Sequence, residues 1–161
     1  MKRPAIIVAV LVVLAGLGIW WFSDTQVLKR RTQSLLTTLT LDSGSSKVSR
    51  QMGSYSLNNL LAEEVQLDTP TIKEANGSFA RSELESAYSW LCNQCKQTRF
   101  ELQDFHSVTI NGDKATVNLT LFGLVELPQY RPADGNYDVT FHWQKGEDGW
   151  RLNRATWTQA P

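Results

Sequence analysis

Three patterns of hydrophobic and polar positions follow one another along the chain: an unbroken apolar run, then helical stripes, then strict alternation. The run reads AIIVAVLVVLAGLGIWWF from Ala5 to Phe22 and carries no charge. Eighteen residues at helical rise span about 27 Å, close to the ~30 Å hydrocarbon core of a bilayer. It ends in Trp20-Trp21-Phe22, rings of the kind that favour a membrane interface, rather than in a small-residue cleavage site. Residues 5–22 therefore read as an uncleaved single-pass transmembrane anchor behind a four-residue tail, 1–4.

From Asp24 to Leu41 the period becomes helical. Leu28, Thr32, Leu35 and Leu39 share a stripe with Leu36 beside it, and Asp24 is an N-cap or first-turn acid. The Ser- and Gly-rich DSGSSKVSRQMGS reads as a loop. A short helix is expected at Ser56–Glu64 and a brief strand near Val65–Leu67. A third helix follows, N-capped by Ser78 or Ser82. It carries Leu84, Ala87, Tyr88, Leu91 and Cys95 on one stripe, with Trp90 pointing the other way.

After Gln97 the pattern alternates. Asn111-Gly112-Asp113 and the segment Gly146 to Gly149 are hairpin turns, with a longer turn PQYRPADGNY between them. Four long antiparallel strands result. One face gathers Val117, Leu119, Leu121, Tyr137, Val139, Phe141, Trp143, Trp150 and Leu152; the other gathers Thr116, Asn118, Thr120, Asp138, Thr140, His142, Gln144, Arg151 and Asn153. A sheet apolar on one face needs a cover, and the helices supply it. The expected fold is α+β, a cone-like roll of a bent antiparallel sheet wrapped around about three helices, occupying residues 24–161. Gly123, inside a long strand, is the expected bulge where the sheet curls.

This order of elements resembles the nuclear transport factor 2-like superfamily, which includes SnoaL-like and ketosteroid isomerase-like proteins. "AEEVQLDTP" before "NGSFARSELESAYSWL" looks like that fold's short strand, glycine turn and third helix, and "GEDGWRLNRATW" looks like its last hairpin. The resemblance covers nearly all of residues 24–158. It implies a cavity between helices and sheet and a sheet face available for a homodimer. Its members range from isomerases, dehydratases and cyclases to non-catalytic binding proteins and membrane-anchored parts of secretion systems, so it constrains function weakly.

Charge narrows the partners. Of 16 Lys+Arg, two (Lys2, Arg3) precede the apolar run, leaving 14 against 16 Asp+Glu beyond it. Only Lys29, Arg30 and Arg31 cluster, so no basic stripe for nucleic acid is present. Lys2 and Arg3 abut the run directly, which favours a cytoplasmic N-terminus and an exported domain in the cell inner membrane, facing a bacterial periplasm. The expected partners are inner-membrane lipid, an envelope protein or a second copy, and no cofactor is expected.

The two cysteines are spaced Cys92-x-x-Cys95 at the end of the third helix, where the dipole is negative and does not favour a reactive thiolate. His106 and His142 would have to converge from different strands to complete a zinc site, so no metal site is expected. The remaining readings are a structural disulfide if the domain is exported, or two buried thiols if it is not. In FELQDFHSVTI, Asp104 and His106 share the register of Phe100, Leu102, Val108 and Ile110. Unless a bulge intervenes they face the core, where they would form a general acid/base pair. Among the aromatics Tyr88, Phe105, Tyr137, Phe141, Trp143, Trp150 and Trp157, the set Tyr88, Phe141, Trp143 and Trp150 is expected to line an apolar ligand pocket. The leading expectation is a membrane-anchored binding or scaffold domain for a protein or apolar small molecule. The alternative is an isomerase, dehydratase or cyclase using Asp104 and His106.

Overall fold

In the computed structural model the described residues are 11–12, 18, 20–44, 47–69, 75–129 and 131–160. Most of the expected anchor and the whole tail lie outside them. Of the apolar run, Leu11, Val12, Gly18, Trp20 and Trp21 are helical, and no helix among the described residues is long and apolar enough to cross a membrane.

Helix α1 spans Asp24–Leu39 and buries Leu28, Thr32 and Leu35 of the expected stripe together with Leu36 beside it, while Leu39 is half-buried. Ser23 is its N-cap, with extended backbone (φ −61°, ψ 141°), and Asp24 is the first-turn acid. Ser23 thus breaks the helix that carries Trp20 and Trp21 from α1. The carbonyls left over at that break are satisfied locally. Ser23 Oγ donates to Trp20 O at 2.8 Å, Arg30 Nη2 donates to Trp21 O at 2.8 Å, and the Arg30 guanidinium lies 4.6 Å from the Trp21 ring centre.

Both ends of α1 are fastened to the sheet. At its start Asp24 accepts from Lys145 Nζ at 3.0 Å and from the indole Nε1–H of Trp150 at 3.0 Å. At its end Thr98 Oγ1 donates to Leu39 O at 2.5 Å, and Leu41 and Thr98 exchange backbone hydrogen bonds of 2.9 and 3.0 Å.

Helix α2 spans Lys47–Leu60, earlier and longer than the expected Ser56–Glu64, so part of the presumed loop is helical. Its polar composition gives weak propensity, which tertiary packing overrides. Leu57 and Leu60 are buried, Asn58 Nδ2 donates to Glu85 Oε1 at 2.7 Å, and Ser54 Oγ lies 3.1 Å from Ser89 Oγ. Strand β1 (Leu61–Asp68) follows at once, beginning before the expected Val65. Strand β2 (Gly77–Ala80) occupies what the sequence offered as a helix cap. Ser78 hydrogen-bonds to Glu64 across β1–β2, and Ala80 N–H instead donates to Glu83 Oε2 at 2.7 Å to begin α3 (Arg81–Gln94).

The long strands are β3 (Gln97–Asn111), β4 (Lys114–Glu126), β5 (Ala133–Gly146) and β6 (Gly149–Gln159). The tight turns stand where the sequence placed them, with Gly112 at φ +62° and Gly149 at φ +92°. The turn before β5 is shorter than expected, because Asp134 and Gly135 already pair with Leu124 and Gly123. The six strands run in the order β2-β1-β6-β5-β4-β3. The sheet is mixed rather than antiparallel throughout: β1 lies parallel to β6. Two elements explain the difference, the extra strand β2 and the long path that returns β6 beside β1.

The inner face is as expected. Val117, Leu119, Leu121, Val139, Phe141, Trp143, Trp150 and Leu152 are all buried, and only Tyr137 is half-exposed. Gly123 is not a bulge; its pairing with Phe100 and Gly135 is regular. A Cβ there would press on the Tyr137 ring at 3.3 Å, so close packing is what the glycine permits. The bulges lie elsewhere, between Leu102 and Asp104, between Phe105 and Ser107, and opposite His142/Trp143. They bend the sheet where β3 wraps round.

Hydrogen bonds from Trp150 and then Lys145 hold the Asp24 carboxyl below the usual carboxylate range. A depressed carboxylate stabilises the fold above its unfolded pKa, and that contribution disappears as pH falls through the folded value. Asp24→Ala leaves the Trp150 N–H buried and unpaired and is expected to cost ~1–3 kcal/mol at neutral pH by urea unfolding. The gap from the parent should narrow below about pH 4; a gap unchanged down to acid would contradict this role for the carboxylate.

Candidate ligand cavity

Where α1 ends and α3 crosses the sheet, the described residues leave a space uncovered. A cavity of about 500 Å³ opens between the helices and the inner face of β1, β5 and β6. Its deep walls are Leu35, Leu57, Leu61, Val65, Tyr88, Phe141, Leu152 and Ala155, all buried. Its outer part is lined by Ala87 and Trp90, both exposed, with Thr69, Ala75 and Trp157. None of the described lining residues is Asp, Glu, Lys, Arg or His.

Tyr88 would be the deepest polar group, but its hydroxyl is turned out of the space. It donates to Thr38 O at 2.8 Å and sits under α2 at Gly53, where an added Cβ would fall well inside van der Waals contact of the phenol oxygen. Gly53 lowers helix propensity and is retained by this packing. The cavity therefore presents hydrocarbon.

Of the four expected pocket residues, Tyr88 and Phe141 line this cavity. Trp143 and Trp150 do not: both are buried in the core away from this lining, and Trp150 is spent on the Asp24 pin. Their places are taken by Trp157, a member of the wider aromatic set, and by Trp90, which the helical stripe placed on the opposite side of α3. Trp90 is 58% exposed yet still lines the cavity. An isolated helical wheel cannot show this, because the opening reaches round the side of α3.

Asp104 and His106 are on the outside of the sheet. The two bulges of β3 shift its register twice, so Phe105 pairs with the inward Leu119 while Asp104 pairs with the outward Thr120. Both side chains are exposed, His106 49% and Asp104 72%. His106 Nδ1 lies 3.5 Å from Asp104 Oδ2 and His106 Nε2 lies 2.7 Å from Thr120 Oγ1. Thr120 in turn donates to Asp138 Oδ1 at 2.6 Å. The group is a solvated hydrogen-bonded string on the polar face, without access to the cavity.

His142 lies on that same face, 3.4 Å from Thr116 Oγ1, and burial and then the nearby Arg154 lower its pKa. Among the described residues no group of three or more His, Cys, Asp or Glu is arranged to hold a metal ion. Cys92 and Cys95 are both buried in the core cluster at the end of α3. Cys92 lies inside α3, whereas Cys95 is the C-cap with extended backbone (φ −78°, ψ 147°).

No protein-family profile matches the chain, and no curated protein does. Solved structures do. An NTF2-like superfamily protein from Salmonella enterica serovar Typhimurium superposes with a TM-score of 0.67 at 10% identity, over 86% of this chain and 92% of the other. The fold is NTF2-like. An NTF2-like protein from Cytophaga hutchinsonii matches with a TM-score of 0.64 at 16% identity, over 84% of this chain and 98% of that one. A protein from Streptomyces avermitilis, provisionally assigned as a dehydratase of the NTF2-like family, matches with a TM-score of 0.63 at 16% identity, over 86% and 97%. At these identities the NTF2-like likeness concerns the fold.

Gly53→Ala should destabilise the protein, although Ala is the better helix former by ~1 kcal/mol. The new methyl must displace the Tyr88 ring, an overpacking cost of ~1–3 kcal/mol. Thermal unfolding of Gly53→Ala against Gly53→Ala/Tyr88→Phe checks it: removal of the phenol oxygen should recover part of the loss. A Gly53→Ala protein more stable than the parent would show that the contact is absent.

Proposed function

We propose that this protein is a tethered binding domain that holds an apolar small molecule in the cavity between α1, α3 and the sheet. The observation that carries the reading is the lining itself: a cavity of about 500 Å³ walled by hydrocarbon, open on one side, with no charged described residue. Its volume lies in the ~300–1,000 Å³ range of small-ligand sites. Proton-transfer chemistry needs an acid or base within reach of a bound molecule. The described walls offer only Tyr88, whose hydroxyl is engaged with Thr38. The Asp104–His106 pair, which the enzyme reading required, is on the opposite face of the sheet.

The uncharged run from Ala5 to Phe22 supports membrane tethering, and Lys2 and Arg3 beside it support an exported domain at the inner membrane of a bacterium. The exposed Trp20, Trp21 and Phe22 suit the headgroup layer at the base of such a stem. In this reading the outer sheet face is solvated, because its side chains already pair with one another: Asn118 Nδ2 to Ser107 at 2.9 Å, Thr140 to Asn118 at 2.8 Å and Gln144 to Asp113 at 2.6 Å.

Titration with 1-aminoanthracene, a neutral apolar fluorophore, is expected to saturate at one molecule per chain. Ala87→Trp, which fills the opening from an exposed helical position, should weaken the probe about tenfold or more, a loss of ~1.4 kcal/mol. Asp104→Asn and His106→Ala should leave it unchanged. Linear, unsaturable fluorescence, or binding indifferent to Ala87→Trp, would remove the cavity as the site.

A further inference from the structure

The cavity is graded from end to end, and the grading selects a class of ligand. At the deep end stand Val65, Phe141, Leu152 and Ala155, each no more than 3% exposed. At the outer end stand Ala87 and Trp90, exposed on α3, and Thr69. Only here does polar chemistry reach the space. Thr69 Oγ1 donates to Asn76 Oδ1 at 3.2 Å. Deeper in, no polar side-chain atom of the described lining is turned toward the space, since the one hydroxyl there, of Tyr88, donates outward to Thr38 O.

From this we infer that the ligand is a single-headed amphiphile, an elongated apolar body ending in one polar group, which enters tail first and leaves its head at the Thr69–Trp90 rim. The inference rests on reading the cavity as a small-molecule site and adds to it a ligand class and an orientation. Its physical basis is the cost of desolvation. An ionised group at the deep end would lose its hydration and meet only hydrocarbon, with no partner to offset the loss. The same group at the rim keeps its water. An apolar tail gains affinity with each methylene removed from water, so tail length supplies affinity while the head contributes solubility and register.

Displacement of 1-aminoanthracene from the full chain distinguishes the possibilities, using three twelve-carbon competitors held below their aggregation limits. Dodecanol and dodecanoate should displace it within about threefold of one another, because their heads stay in water. Dodecanedioate, which must carry a carboxylate to the deep end, should be weaker by about a hundredfold or more. Trp90→Ala should weaken both single-headed competitors together, since it removes apolar rim surface that either tail crosses. Dodecanedioate equal to dodecanoate would overturn the orientation, and failure of all three to compete would overturn the ligand class while the saturable probe still stood. Failure of the probe itself to bind would overturn the cavity reading, and with it this inference.

Discussion

The inner face of the sheet has to be taken out of water, and α1 is the element fastened across it at both ends. Fully burying a side chain such as Phe141 contributes ~1.5–3 kcal/mol relative to leaving it exposed, and this face carries ten buried apolar side chains from β4, β5 and β6, alanines included. The Asp24–Trp150 bond fixes one end of the helix and the Thr98 bonds fix the other. At the Trp150 end Leu28, Trp143 and Trp150 are buried together in the core cluster. At the other end Leu35 and Leu39 meet α3 and the end of β1 across an opening. One helix thereby closes the core at one end and leaves a cavity at the other.

The sheet separates two chemistries. Its inner surface is hydrocarbon, while its outer surface is a lattice of Thr, Asn, Asp and His side chains bonded mainly to each other. The bulges of β3 decide which side Asp104 and His106 join. Without them the strand would carry a carboxylate and an imidazole against Leu119 and Leu121, a burial cost of several kcal/mol for the charged form. The chain avoids that cost by adding a residue twice, so that Phe105 turns inward and the polar pair turns out. The same bulges also bend β3 at its edge of the sheet.

Much of this was legible in the sequence. The alternation in β4, β5 and β6 named the buried face correctly, and the α1 stripe named Leu28, Thr32, Leu35 and Leu36. The illegible parts share a physical reason. Bulges leave no local signature, so a strict two-residue period through FELQDFHS predicts the wrong face. Helix α2 is held by contacts of Leu57, Leu60 and Asn58 that its Ser- and Gly-rich sequence does not advertise. Strand β2 is four residues long and draws its stability from pairing with β1. Trp143 and Trp150 are as aromatic as Trp157; only the position of the opening along β5 and β6 tells wall from core.

The central claim is that the hydrocarbon cavity is the working part of the molecule. Native mass spectrometry tests it most directly, on the purified full chain before and after exposure to a total lipid extract. The account predicts a discrete added mass in a one-to-one complex, released by unfolding. A bare polypeptide mass both before and after exposure to the extract would contradict it.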